Sequence, residues 1–217
     1  MRQLAYLLVA VALGATACNS GSEPAAQEQP GPGQDTAAQE TTPGQASTSS
    51  GRHFAKTELP QIVLQPSDAP PGMSYTKQES GTKTLDDLGF VLDKDLAEVR
   101  TLRLRGVRDA IFDSSNHRSR LASRVWLFAQ PKGAVAWLEK SRNDAVRFAL
   151  EPVESPSLAD DSFGARGTLS GLSVLTYAFR SGNVVVVTSV YAPRASPDTD
   201  SLALAAARRA ADRLHSA

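Results

Sequence analysis

Cys18, the single cysteine of the 217-residue chain, is the residue whose position most directly predicts a chemistry. A basic start at Arg2, an apolar run over residues 4–13 and small residues at 14–17 lead up to it. This order of regions is typical of a secretory signal. A free thiol at the start of an exported chain would be exposed to oxidation and mispairing. We therefore expect Cys18 to be modified.

The segment that ends at Cys18 resembles a bacterial lipoprotein signal with its lipobox. In that family the signal, here residues 1–17, is removed and the cysteine becomes the lipid-carrying first residue. The resemblance implies lipidation of Cys18 and a chain anchored in the cell membrane, facing the extracytoplasmic side. Ala15 stands where the lipobox prefers leucine, and residues 15–17 also fit an ordinary secretory cleavage site, so an unanchored secreted chain is the alternative. The apolar run is shorter than the roughly 20 residues that span a bilayer.

Residue types suited to catalysis or metal binding are present, but not in suitable patterns. The three histidines, His53, His117 and His215, lack the spacing of zinc ligands. The sequence contains no calcium loop, nucleophile elbow or glycine-rich phosphate loop. Asp160 and Asp161 are an acidic pair that a hydrolase could use, yet their setting is typical of a turn that leads into a strand. We predict no catalytic residue, cofactor or metal, with a small carboxylate hydrolase as the alternative.

The charge pattern argues against a nucleic-acid partner. Basic and acidic residues are equal in number, 23 of each. The one crowded set of arginines is interleaved with acidic residues and predicts a solvated strand face; it comprises Arg100, Arg103, Arg105 and Arg108. No basic patch of the kind that binds phosphates stands out.

Between the signal and the first apolar residues lies a polar stretch. Residues 19–52 contain no Val, Ile, Leu, Met, Phe, Trp or Tyr. Such a composition cannot bury enough apolar surface to offset the entropy of ordering. We therefore predict a lipidated cysteine and disordered linker over 18–57 and a single globular domain over 58–217.

Three helices are predicted in that domain. Thr84 and Asp87 form an N-cap pair before leucines at three- and four-residue steps, which predicts a helix up to Val99. Pro131 opens a second helix, whose apolar face includes Trp137 and reaches residue 148. The third begins near residue 196 and runs to about 215, with an alanine-rich body and arginines toward its C-terminal end.

Period-two segments between the helices predict strands at 104–112, 122–128, 172–179 and 184–191, with an edge strand at 73–77. Gly182 can supply the positive φ of a tight hairpin turn, and Val184–Val187 predicts a central strand covered on both faces. Trp126 and Phe128 share a strand face that packs on the helix carrying Trp137. The fold class is α+β, with a mainly antiparallel sheet of about five to six strands and two to three helices.

The domain resembles a loose group of actinobacterial surface lipoproteins with sensor-like or PsbP-like extracellular domains. The entrance segment 64–72, the hairpin around residues 179–186, the passage 123–136 and the last helix carry this resemblance. It implies a cell-envelope location and binding of a ligand or partner. We therefore expect a non-catalytic envelope lipoprotein that binds a small ligand, a lipid or an envelope protein. A purely structural envelope protein without a ligand is a further alternative.

Overall fold

The computed structural model describes residues 52–88 and 93–217, and within them the strands pair into one antiparallel sheet. The strands are β1 (Met73–Tyr75), β2 (Gly81–Lys83), β3 (Leu104–Ser114), β4 (Arg120–Phe128), β5 (Glu151–Val153), β6 (Asp161–Leu169), β7 (Leu172–Ser181) and β8 (Val184–Ala192). The helices are α1 (Leu59–Ile62), α2 (Asp93–Thr101), α3 (Pro131–Arg147) and α4 (Pro197–Ser216). Short 3₁₀ turns lie at Lys56–Glu58, Pro66–Asp68 and Asp86–Leu88.

The strand order across the sheet is β1-β3-β4-β8-β7-β6-β5, with β2 also paired to β3. Strand β8 lies in the middle, and its residues Val184, Val185 and Val186 are fully buried. The predicted coverage of this strand on both faces is therefore confirmed. Its hairpin to β7 turns at Gly182, which has a φ of 52°, as the sequence predicted.

Helices cover both faces of the sheet. On one face α4 packs its alanine side, from Ala203 to Leu214, against β7 and β8. On the other face, called here the α3 face, Trp137 of α3 contacts Trp126 and Phe128, with ring centroids 4.7 and 6.2 Å apart. The predicted aromatic packing between strand and helix is thus confirmed.

The α+β class and the antiparallel sheet are confirmed, but the structure has eight strands and four helices among its described residues. The strand number was predicted too low because β2 and β5 have three residues each, too few to show a period of two. The helix predicted up to Val99 is divided: Thr84 and Asp87 cap the turn Asp86–Leu88, and α2 begins at Asp93. Residues 89–92 between them lie outside the described residues.

The described residues begin within the segment predicted as a linker. Cys18 and residues 19–51 lie outside the described residues, but residues 52–57, assigned to the linker, are described. Phe54 among them is 1% exposed and belongs to the core beneath α4. Its backbone N–H donates to the side-chain oxygen of Asn183 at 2.7 Å, and the Asn183 amide donates back to its carbonyl at 3.1 Å. Ordered contacts therefore start before residue 58.

We predict that a chain starting at residue 58 is less stable than one starting at residue 52 by about 3 kcal/mol, because it loses a buried phenylalanine. Chains starting at residues 19 and 52 should unfold at the same midpoint, since residues 19–51 offer no large apolar side chain. Urea unfolding followed by tryptophan fluorescence measures both differences. Equal midpoints for the chains starting at 52 and 58 would show that Phe54 contributes nothing to the core.

Candidate ligand-binding site

An apolar groove lies on the α3 face, between the outer flank of α3 and strands β5 and β6. We call it the α3–β6 groove; its volume is about 290 Å³. It is lined by Arg142, Ala145, Val146, Leu150, Pro152, Val153, Ser155, Ser162, Phe163, Gly164 and Ala165. A smaller recess of about 40 Å³ adjoins it beneath α3, and Ala145, Leu150 and Phe163 line both. The recess is also lined by Trp137 and Phe148.

The chain reversal after α3 forms one end of the groove. The N–H of Ala149 donates to the carbonyl of Val146 at 3.0 Å, and the N–H of Leu150 to the carbonyl of Ala145 at 2.9 Å. This is the Schellman pattern, with Ala149 in the left-handed region at a φ of 53°. Leu150 then lies against β6, where Gly167 leaves room: a Cβ on Gly167 would lie 2.5 Å from Leu150 Cδ2. The groove thus depends on a backbone reversal and on one missing side chain.

The outer wall of the groove carries an exposed apolar residue. Val146 is 68% exposed, more than Val135, the other exposed valine of α3, at 42%. Pro152 on the opposite side of the groove is also exposed. Exposed apolar side chains that border a concave apolar surface are typical of binding sites.

Arg142 supplies a positive charge at the groove. Its guanidinium lies over the ring of Phe163, 5.3 Å from Cζ to the centroid. One nitrogen of Arg142 donates to Asp161 at 3.1 Å. Both side chains of this ion pair are more than 40% exposed, 43% and 42%. The pair is therefore weak and can exchange partners with little cost.

Two buried indole groups near the recess lack acceptors. The Nε1 atoms of Trp126 and Trp137 have no hydrogen-bond partner among the described residues. Both side chains are almost completely buried. An unpaired buried donor costs on the order of 1–3 kcal/mol.

Charged side chains occupy another strip of the α3 face, on β3 and β4. Arg124 donates to both carboxylate oxygens of Asp109 at 2.7 Å. Arg120 pairs in the same way with Asp113, at 2.7 and 2.9 Å, and with Glu79, at 2.7 and 3.3 Å. Every carboxylate oxygen of this ladder of ion pairs already accepts a hydrogen bond. The ladder therefore stabilises the sheet and offers no free carboxylate oxygen to a ligand.

The Asp–Arg ladder was not predicted from the sequence. Asp109 and Asp113 were interpreted together with the arginines of their own strand, as parts of a solvated face. A usable signal exists, because the turn that follows β3 sets the register with β4. That register places Asp109 opposite Arg124 and Asp113 opposite Arg120. Opposite charges at directly facing positions on two strands indicate a cross-strand pair.

The pKa of the Asp113 carboxyl lies below its ordinary value. Burial alone would raise this pKa, but the hydrogen bonds and charge of Arg120 and the Thr76 hydroxyl, at 3.1 Å, outweigh burial. Because the folded-state pKa is lower than the unfolded one, the contribution of Asp113 to stability is complete above about pH 4. It is lost as the pH falls through the folded-state pKa.

We predict that Asp113→Asn lowers the free energy of unfolding at pH 7 by about 2 kcal/mol, because Arg120 loses a paired charge in a mostly buried site. The variant should also lose less stability than the wild type below about pH 4. Urea unfolding at several pH values measures both effects. Asp86→Asn, at an exposed position, is the control and should stay within about 0.5 kcal/mol. If the variant and the wild type lose the same stability below about pH 4, the lowered pKa of Asp113 is contradicted.

Two larger hollows flank α4 on the opposite face, with volumes of about 540 and 590 Å³. Both are open to solvent and share Asp68 and Arg209. Asp68 accepts hydrogen bonds from Arg213 at 2.6 Å and Arg209 at 3.4 Å, which connect α4 to the turn Pro66–Asp68. Burial would raise the pKa of Asp68, but these bonds and the N–H of Gln65 hold it below its usual value. Ion pairs that join two elements account for this surface, so the apolar groove is the stronger candidate.

The two acidic residues singled out in the sequence, Asp160 and Asp161, each have a different partner. Asp161 is the first residue of β6 and pairs with Arg142. Asp160 accepts the N–H of Gly182 at 3.0 Å and pairs with Arg180 at 3.4 Å, so it holds the β7–β8 turn. The prediction of a turn that leads into a strand is confirmed. Among the described residues, no three His, Cys, Asp or Glu side chains are grouped as metal ligands.

Taken together, the fold is an antiparallel sheet with helices on both faces and an apolar groove beside one helix. The crystal structure of the extracellular domain of PknH from Mycobacterium tuberculosis has a similar fold, with a TM-score of 0.53 and 13% sequence identity. The similarity covers 75% of this chain and 99% of that domain. At this identity the likeness shows the fold alone. The expected α+β fold is thus confirmed.

No protein family matches the chain, and no curated protein sequence does. Within the described residues, no helix is long and apolar enough to cross a membrane.

Proposed function

We propose that the chain is a non-catalytic extracytoplasmic binding protein whose domain holds a small apolar or amphipathic molecule in the α3–β6 groove. The observation that carries this proposal is Val146, which is 68% exposed at the edge of a concave apolar surface. A residue of this kind gains burial only when a second molecule covers it. Fold similarity to an extracellular domain supports the proposed extracytoplasmic location.

The size of the groove limits the ligand. About 290 Å³ accommodates roughly ten non-hydrogen atoms, if each takes about the 30 Å³ of a water molecule in the liquid. A single medium-length alkyl chain or a one- or two-ring compound fits this volume. A folded protein partner would need a contact several times larger.

We predict that Val146→Asp weakens binding of naphthalen-2-ol, a neutral two-ring fluorescent dye that fits the groove volume, by tenfold or more. The substitution removes the burial of one valine on binding, about 1.5–3 kcal/mol, and introduces a charge. Dye fluorescence against protein concentration gives the affinity. Val135→Asp is the matched control on the same helix, because Val135 is 42% exposed and does not line the groove.

Both variants should keep the melting temperature within a few degrees, since each position is exposed. A site in the groove would be contradicted if both substitutions weakened dye binding equally. It would also be contradicted if neither the wild type nor Val135→Asp bound the dye. Turnover of an envelope ester or glycoside that is lost in Asp161→Asn would instead favour the hydrolase alternative.

We further propose that the domain is attached to the membrane through lipid on Cys18, with the polar segment that follows as its leash. Two acyl chains hold a protein firmly, since each buried CH₂ contributes about 0.8 kcal/mol. The leash has no polybasic patch that could replace them. The anchor would keep the groove close to the membrane, which is a source of amphipathic molecules.

We predict that Cys18→Ala moves the protein from the membrane fraction to the soluble fraction, or leaves an uncleaved precursor. The melting temperature of the domain should not change, because Cys18 lies far in sequence from Phe54, the first buried residue described. Ser20→Ala is the neighbouring control and should stay with the membrane. Wild-type protein that is soluble, has a free thiol and shows no added lipid mass would rule out the anchor.

A further inference from the structure

Arg142 has hydrogen-bonding capacity that its protein partners leave unused. A guanidinium has five N–H donors. Among the described residues, the Arg142 guanidinium makes one hydrogen bond, to Asp161 at 3.1 Å, and one ring contact, to Phe163. The two arginines of the Asp–Arg ladder, by contrast, each make bidentate pairs. Arg142 is therefore a cation at an apolar groove with donors available to an additional anion.

The other charges near this end of α3 are already paired with one another. Asp144, which lines the recess, pairs with Lys140 at 2.5 Å and with Arg147 at 3.3 Å. These pairs leave Arg142 as the cation that lines the groove itself. The carboxylate of Asp161 is 42% exposed and accepts one hydrogen bond, so it competes weakly with an incoming anion.

We infer that the α3–β6 groove takes a single-chain anionic amphiphile, with the alkyl chain over Phe163 and Val146 and the headgroup on the Arg142 guanidinium. This inference rests on the function proposed above and specifies its ligand class. The headgroup chemistry is a carboxylate or a phosphate monoester, either of which a guanidinium fork can bind through two hydrogen bonds. The volume of the groove sets the chain at roughly ten non-hydrogen atoms.

The contact between Arg142 and Phe163 explains how one site serves both halves of such a molecule. The guanidinium lies over the aromatic ring, so its nitrogens are held beside the apolar surface. Arg142 also lines the groove that contains this surface. A headgroup that binds there leaves its chain directed along the groove.

The test compares ligands that differ in the headgroup alone. Decanoate, decan-1-ol and decyl phosphate are titrated into the domain, and binding is followed by tryptophan fluorescence, because Trp137 lines the recess. We expect the wild type to bind decanoate or decyl phosphate about tenfold more tightly than decan-1-ol, as a charge-assisted hydrogen bond at a partly exposed site allows. The tighter of the two anions identifies the headgroup.

Variants of the charged pair distinguish recognition by Arg142 from a general charge effect. Arg142→Gln should reduce the preference for the anion over the alcohol to about one, and Arg142→Lys should keep part of it. Asp161→Asn should tighten anion binding about threefold without changing decan-1-ol binding, because it removes the competing carboxylate. Arg147→Gln is the matched control, since Arg147 pairs with Asp144 and does not line the groove.

The outcomes separate this inference from the proposed function. Equal affinity of the wild type for decanoate, decyl phosphate and decan-1-ol, with all three weakened by Val146→Asp, would overturn the anionic headgroup and leave the apolar site. An anion preference that persists in Arg142→Gln would overturn the role of Arg142. Binding of none of the three ligands would overturn the proposed function and this inference with it.

Discussion

The width of the sheet relative to the helices that cover it is the constraint from which the rest of this structure follows. Neighbouring strands lie about 4.8 Å apart and a helix with its side chains is about 10–12 Å wide, so one helix covers two or three strands. Helix α3 accordingly packs mainly on β4, β8 and β7, with a smaller contact to β5. The sheet extends beyond these strands, to β3 on one side and to β6 and β5 on the other. The α3 face therefore has two strips that its long helix does not cover.

The two strips carry different side chains. The side chains of one strip are paired with one another, and those of the other form the candidate binding site. On β3 and β4 the chain places carboxylates and guanidinium groups that satisfy one another, so this strip needs no further partner. On β6 and β5 it places Phe163, which is half-buried, and Pro152, which is exposed, and other side chains of the domain do not cover this apolar surface completely. Saturated polar pairs stabilise a surface, whereas an apolar strip beside a helix is stabilised when something covers it. This contrast makes the α3–β6 groove the candidate site.

Much of the fold could be predicted from local sequence patterns. Strand β8 was recognisable because four consecutive valines are apolar on both faces, and α3 because Pro131 precedes a regular apolar face. Local patterns fail where the element is too short to repeat its period several times, as in β2, β5 and α1. They also fail for Phe54, whose burial depends on Asn183, 129 residues away.

The groove could be predicted only in part, for a related physical reason. Its residues come from α3, from the reversal at Ala149 and from β5 and β6, and they meet through the lateral offset between a helix and a sheet. No sequence periodicity encodes that offset. The aromatic residues identified in the sequence, Trp126 and Phe128, are core residues as expected, whereas Phe163 at the groove gave no signal apart from its place in a strand. A cation five residues before the helix end, at Arg142, is equally ordinary in sequence, and only its contact with Phe163 marks it as part of a site.

The energetics of so small a site explain why a single charge can determine its specificity. Burying a chain of about eight methylene groups gains at most about 6 kcal/mol, at 0.8 kcal/mol each, and the groove leaves part of the chain exposed. Association costs about 4 kcal/mol or more in lost translational and rotational freedom. The apolar gain and this cost nearly cancel, so apolar contact alone gives weak binding. A charge-assisted hydrogen bond of 1.5–3 kcal/mol is then a large share of the net affinity. Because Arg142 is loosely paired and already positioned over the ring of Phe163, little of that gain is lost to ordering the side chain.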